Sequence, residues 1–385
     1  MVTDRSRDES SAERSLTPRA LAVTRHLLGH GPSTRADLGE VLQLSDASMS
    51  RVVRALLDQG VITERSLQSS ALGRPRQILT AVPGSRHVAG IKLTQDTAYG
   101  VLCDLAGTVL ATAELALPGK VNGLVPVDRT VRVIAGLVTR LGGGVPRIDG
   151  LGVSVGGVVT GRAVVREGPF LGWREVDLGA QVSKFCGIPT VVTNDVVGLA
   201  REQLWFGAGR THPTFGVITV GAGLGYALVR EGNVVEQLID NGHLLSHAPI
   251  DPQGPRCRIG HRGCVSSYLD REDVATRLGL AGSAVTFEQL AALDPEWFSG
   301  ASRALGHLIA TAAGGLQTER IVLAGEDAGA LYASPVTGQT LADRLRLDDA
   351  GTTRVGLEIS TEPLGFADWA RGAAVTGIQA ILGAS

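Results

Sequence analysis

The strongest constraint in this sequence is a layout that occurs twice. GIKLTQDTAYGVLCDLAGTVL at 90–110 and GVITVGAGLGYALVREGNVV at 216–235 each read as strand, loop, strand, glycine-containing turn, strand. A chain of 385 residues is too long for one compact core. Two copies of a β-rich unit inside it therefore predict two related α/β lobes with a cleft. Between the copies, GLGVSVGGVV at 150–159 and TVVTND at 190–195 read as buried strands, with helical periodicity at 129–141 and 196–206. Helical patterns at 301–316 and 365–382, around the strand IVLAG at 321–325, complete the second lobe.

Residues 16–84 differ in character. Ala20, Val23, Leu27 and Leu28 recur at helical spacing until GHGP at 29–32 breaks the run. Thr34 caps a second helix with an expected apolar face of Leu38, Val41 and Leu42. Ser45 caps a third, SDASMSRVVRALLDQG, which stops at Gly60. Three helices joined by short turns form a helix-turn-helix candidate. In the third, Met49, Val52, Val53, Leu56 and Leu57 supply a core stripe, leaving Ala47, Ser48, Arg51, Arg54 and Asp58 opposite. Small residues followed by two arginines one turn apart suit a major groove, although an ordinary solvated face has the same look.

The continuation discriminates. Val61 and Ile62 open a strand, SLQSSALGRPRQ turns, and Ile78 to Val82 returns as a wing. At its tip Gly73 allows close approach, Pro75 stiffens the path, and Arg74 and Arg76 can reach a narrow minor groove. Candidate DNA contacts are thus Ser45, Ala47, Ser48, Arg51 and Arg54 on the helix and Gly73, Arg74, Pro75 and Arg76 on the wing. Residues 15–86 carry nine arginines against five acids, whereas the whole chain has a net charge of −2. A basic module on an acidic body fits phosphate binding at one end only.

The first fifteen residues, MVTDRSRDESSAERS, are charged and serine-rich and read as a disordered tail without a signal sequence. No stretch reaches 18 uninterrupted apolar residues, so a cytoplasmic protein with no membrane partner is expected. Cys103 and Cys186 sit singly, while Cys257 and Cys264 share a glycine-rich loop. That distribution suits a reducing compartment and one metal loop rather than a disulfide framework.

Taken in order, these motifs resemble the ROK family of repressors, open reading frames and sugar kinases. The residues that carry the resemblance are the winged helix with its GRP tip, SVGG at 154–157, FLGW at 170–173 and ND at 194–195. VGAGLG at 220–225, GH at 242–243, CRIGHRGC at 257–264 and RGAA at 371–374 complete the series. The resemblance implies an α/β chain: a winged helix-turn-helix at 16–84, then a two-lobed actin/hexokinase-like (RNase H-like) ATPase fold at 87–385. Its lobes would span roughly 87–195 plus the C-terminal helix, which the resemblance assigns to the first lobe where the helical pattern alone placed it in the second, and 196–365.

The resemblance also implies residue roles. Asp195 stands at the position of the kinases' general base, a carboxylate within reach of the attacking hydroxyl. Gly157, Asn194, Asp195 and His243 match sugar-contacting positions, and Asp240 stands where Glu is usual. Phe170 and Ser266 replace an amide and a second carboxylate, which implies either a ligand other than plain glucose or weak binding. The first phosphate loop, of type D-x-G-G-T in the family, reads Lys92-Leu93-Thr94-Gln95-Asp96 here, and the late glycine run is broken by Glu326 and Asp327. Only Gly221–Gly225 survives, so neither bound ATP nor catalysis is expected and Asp195 is vestigial. For the family's zinc, His243, Cys257 and Cys264 match, Ile259 replaces the middle cysteine, and His261 is the nearby substitute.

The expected protein is a sugar-responsive transcriptional regulator, by analogy a repressor of carbohydrate-metabolism genes. It would bind double-stranded operator DNA as a homo-oligomer, a dimer or tetramer, with a sugar or sugar phosphate as effector. Two alternatives stay open: an ATP-dependent sugar kinase with an attached DNA-binding domain, and a constitutive DNA-binding protein with a vestigial cleft.

Overall fold

Capping residues set where the first helices begin. In the computed structural model, which describes residues 17–67, 76–235, 243–280, 286–345, 356–362 and 364–383, Thr17 opens α1 (Pro18–His30) by accepting the Ala20 N–H at 3.3 Å. The tail at 1–15 and the wing-tip residues Gly73, Arg74 and Pro75 lie outside the described residues. After the two-residue β1 (Ser33–Thr34), a capping box starts α2 (Arg35–Val41): Thr34 Oγ1 accepts the Asp37 N–H while Asp37 accepts the Thr34 N–H. Ser45 caps α3 (Asp46–Asp58). β2 (Ile62–Leu67) and β3 (Arg76–Ala81) form the wing, and β3 also pairs with β1.

Ala20, Val23, Leu27, Leu38, Met49, Val52, Val53, Leu56 and Leu79 are buried together in this module. Val41 departs from the expected apolar face and is 61% exposed. The physical reason is length: α2 makes only two turns, Leu38 fills its core-facing position, and the chain leaves the helix at Leu42.

Next come β4 (His87–Leu93), β5 (Thr97–Asp104), β6 (Val109–Ala116), α4 (Val127–Leu141) and β7 (Gly150–Val155). A small antiparallel sheet of β8 (Val158–Thr160), β9 (Val164–Gly168) and β10 (Trp173–Asp177) follows, then α5 (Leu178–Cys186) and β11 (Thr190–Asn194). From β11 the chain enters α6 (Asp195–Phe206), then β12 (Phe215–Val220), β13 (Leu224–Arg230) and β14 (Asn233–Val234). Short helices α7 (His243–Ser246), α8 (Ser266–Leu269), α9 (Arg271–Arg277) and α10 (Phe287–Leu293) precede the long α11 (Pro295–Leu316). β15 (Arg320–Ala324), α12 (Ala328–Tyr332), α13 (Pro335–Arg344), β16 (Glu358–Thr361) and α14 (Phe366–Ile381) complete the order.

The two large sheets have one topology. The first runs β6-β5-β4-β7-β11 and the second β14-β13-β12-β15-β16. In each, three antiparallel strands are followed by two that run parallel to the first of them. The chain divides into two compact units, Met1–Gly198 with Phe366–Ser385, and Leu199–Gly365.

In the first unit α14 lies on a floor of glycines. A side chain at Gly90 would collide with the Ala370 carbonyl and Ala374, and one at Gly152 with the Ala373 carbonyl. The opposite sheet face carries Ile91, Leu93, Leu151, Val153 and Val155 against Ile134, Leu137, Leu178 and Val182. The second unit packs Ile218, Ile321 and Leu323 against Leu305, Leu308 and Ile309 of α11, with Phe287 and Trp297 edge to face at 5.1 Å. Among the described residues no helix is long and apolar enough to cross a membrane.

Candidate functional site

Among the described residues three groups of side chains carry chemistry, and the first is the outer face of α3. Ser45, Ala47, Arg51 and Arg54 are exposed there, and Ser48 is half-buried. Ser45 Oγ accepts the Ser48 N–H at 3.4 Å, which leaves the helix start with a fixed entry. Arg51 Nε donates to the Ala47 carbonyl at 3.3 Å, so its guanidinium lies along the helix toward its N-terminus. Arg19, which sequence reasoning passed over, donates to Ser48 Oγ at 3.3 Å and brings a cation from α1 to the same face. Its position in the first turn of a helix packed on α3 was the available signal. Arg76 opens β3, but its side chain lies outside the described residues.

The second group lies at the carboxyl ends of β4, β7 and β11 in the first unit. Lys92, Ser154 and Thr193 are in register on these three strands, on the face that α14 covers. Lys92 Nζ pairs with Asp195 Oδ2, and both side chains are largely buried, 9% and 15% exposed. The ammonium also stands 5.4 Å from the centre of the Trp369 ring on α14, a cation–π distance. Asp195 Oδ1 accepts the Val196 N–H at 2.9 Å, so both carboxylate oxygens have partners.

Asn194 is similarly engaged: its Nδ2 donates to the Gly157 carbonyl at 2.8 Å and its Oδ1 accepts the Val197 N–H at 3.1 Å. This ties the SVGG turn to the start of α6. Gly157 has φ +126°, and any side chain there would strike the Glu167 carbonyl. Phe170 packs on Gly156 close to Asp195, and Ser154 Oγ is buried with no hydrogen-bond partner. The structure therefore brings Gly157, Asn194 and Asp195 together. Asp240 and the side chain of His243 lie outside the described residues.

The third group is in the second unit. His247, Cys257, His261 and Cys264 each offer a ligand atom, and these atoms lie within 4.8 Å of one another. A tight turn makes this possible: Gly260 N–H donates to the Cys257 carbonyl at 2.9 Å, and Cys257 N–H to the His261 carbonyl at 2.9 Å. Gly260 supplies the left-handed φ of +94° that the turn requires. Bridges between Pro249 and Cys264 and between Arg256 and Arg262 close the loop.

His247 Nδ1 stands 3.5 Å from Cys264 Sγ and 3.8 Å from Cys257 Sγ. Zinc–sulfur and zinc–nitrogen bonds of about 2.3 and 2.0–2.1 Å give a tetrahedral edge of about 3.6 Å, so the donors fit such an ion. Burial pushes the Cys264 thiol above its ordinary range, which a cation would reverse. Ile259 is 59% exposed. His247 is a candidate ligand that sequence reasoning missed; the Gly242-His243 step drew the assignment, and the side chain of His243 lies outside the described residues. Four donors are assembled without His243, and the signal lay in the Ser246-His247 step just before the bridged segment.

Comparison with known proteins follows from this geometry. The model of the ROK family matches residues 88–346. The chain is 23% identical to the xylose repressor of Bacillus spizizenii over 268 residues, 70% of each chain. A crystal structure of a ROK family transcriptional regulator, a homologue of the E. coli Mlc protein, superimposes with a TM-score of 0.73 at 21% identity, covering 94% of this chain and 97% of that one. A ROK glucokinase from Streptomyces griseus, solved with glucose and AMPPNP, gives a TM-score of 0.58 at 22% identity over 76% of this chain and 99% of its own. The fold is thus shared by regulators and sugar kinases. With two thirds of its length matched by the family's pattern, this chain belongs to the ROK family.

Proposed function

We propose that this chain is a sugar-responsive transcriptional regulator of carbohydrate-metabolism genes, a repressor whose kinase-like body senses its effector without phosphorylating it. The observation that carries the reading is the Lys92–Asp195 pair. A general base must turn a carboxylate oxygen to the substrate hydroxyl. Here one Asp195 oxygen is held by an ammonium and the other by a backbone N–H. What remains is a polar surface that can hold hydroxyls, with Ser154 and Phe170 beside it.

The DNA-binding half rests on α3, whose exposed Arg51 and Arg54 follow a capped helix start as they would in a major groove. Resemblance to a xylose repressor and to an Mlc homologue supports the same assignment. The protein would act in the cytoplasm as a homodimer on a two-fold operator. Zinc held by His247, Cys257, His261 and Cys264 would be structural, fixing the 249–264 loop, and would supply no chemistry to a substrate.

Fluorescence anisotropy with the DNA upstream of its own gene tests the reading. Arg51→Ala is expected to weaken binding by about 1–3 kcal/mol, the value of one good base contact. A hexose, pentose, amino-sugar or sugar phosphate is expected to shift operator affinity. The effector half fails if none of that panel changes either affinity or melting temperature. Kinase activity is tested by ADP release on the same panel: turnover that Asp195→Asn abolishes would replace this reading with the enzyme.

A further inference from the structure

β12 ends at Val220 and turns through Gly221-Ala222-Gly223 into β13. β15 lies parallel beside β12, with Thr219 opposite Ala324, so the segment after β15 emerges next to this glycine loop. Open α/β sheets bind ligands outside the carboxyl ends of such neighbouring strands, and glycine loops there let backbone N–H groups approach phosphate. In this chain the position is already filled.

Gly325, with φ +92°, folds the backbone tightly against Val220. Glu326 then lays its carboxylate on Gly221, where any side chain would run into Oε2. The Gly221 N–H is itself directed to the Gly223 carbonyl at 3.2 Å. Arg271 holds the arrangement: its Nη2 is 3.4 Å from Glu326 Oε2 and 2.5 Å from Asp327 Oδ2. Asp327 is buried, accepts the Phe287 N–H at 3.3 Å and donates its own N–H to the Val220 carbonyl at 3.1 Å. The guanidinium leans on the Phe287 ring at 5.9 Å. The anion at the glycine loop is thus one of the chain's own carboxylates, tethered to an arginine that is anchored on a buried aspartate.

We propose that Glu326 is a specificity-determining residue of the second unit: it occupies the glycine loop at 221–225 and excludes the phosphate groups of nucleotides. A tethered group competes at high effective concentration, so a free ligand must displace it as well as bind. A phosphate arriving beside it also meets a like charge. Gly221 is accordingly kept small by Glu326, and the protein's response is independent of the ATP to ADP ratio. This assignment stands apart from DNA binding, because no residue of the first unit enters it.

Isothermal titration of the full chain with MgADP, and separately with inorganic pyrophosphate, tests it. Glu326 is half-exposed, its side chain 55% accessible, so E326G and E326A leave the core intact. Both variants are expected to bind MgADP and pyrophosphate at least about tenfold more tightly than the unmodified chain. The pyrophosphate arm shows that the gain lies at the phosphates and not at the base. Saturation of the unmodified chain by MgADP as tight as that of the variants overturns the proposal. So does either variant that melts cooperatively like the parent and still binds no better.

Discussion

Lys92 and Asp195 bury opposite charges at one strand end, and neither is tolerable there alone. Removing one partner of a buried pair leaves a desolvated charge, whereas removing both can be nearly neutral. Lys92→Ala and Asp195→Asn are each expected to cost about 3–5 kcal/mol. The double variant K92M/D195N should cost clearly less than the sum of its parts. Urea denaturation of the four proteins measures the coupling, and additive losses would show that the pair contributes nothing to stability. His26 gives a second residue-scale prediction. Burial holds its imidazole below the ordinary value, and nearby His30 and Arg25 push the same way. A depressed value means that the unfolded chain takes up the proton first. The contribution to stability is therefore complete above about pH 6.5 and lost as the pH falls through the lower folded value. The protection factors of α1 amides, corrected for the intrinsic pH dependence of exchange, should fall on acidification, and His26→Gln should blunt that response.

At the scale of elements, α14 and the glycine floor test how tightly two backbones must meet. Gly152→Ala would put a methyl group into the Ala373 carbonyl, and overpacking of this kind costs about 1–3 kcal/mol or more. The melting temperature of G152A should fall by several degrees, whereas Gly314→Ala on α11, with open space around it, should not lower it. The doubled strand pattern made the first large sheet and four strands of the second legible in the sequence, because buried parallel strands such as β7 and β12 are continuous apolar runs; β16 was not read. Caps made α1, α2 and α3 legible for the same local reason. The small sheet β8–β10 and the short helices α8–α10 escaped notice. Runs of three to seven residues hold too few turns or alternations for a period to emerge, and burial against neighbours decides them. The candidate sites divide similarly. Asn194 and Asp195 were visible as a polar pair after an apolar strand, whereas the Lys92 partner needed three strands in register. His247 joined Cys257, His261 and Cys264 only through the turn at Gly260.

At the scale of the molecule, zinc on the four donors at 247–264 would give the second unit a brace independent of its apolar core. Purified protein is expected to hold one zinc per chain, and His247→Ala or Cys264→Ser should release it. Chelation should lower the melting of the second unit by several degrees, since an ion bound only to the folded form adds its binding free energy to stability. Metal analysis and calorimetry with and without EDTA check this. An unchanged melt and no bound metal would leave the loop held by its backbone bridges alone. The return of α14 to the first unit has a separate effect on the order of assembly. Strands β4 to β11 leave the ribosome long before Phe366–Ile381 exist to cover Gly90 and Gly152, whereas Leu199–Gly365 emerges as one continuous stretch. During synthesis the first sheet must wait with one face bare while the second unit closes. A nascent chain stalled before residue 366 would thus hold the complete sequence of the second unit but a first unit whose sheet lacks the helix that covers Gly90 and Gly152.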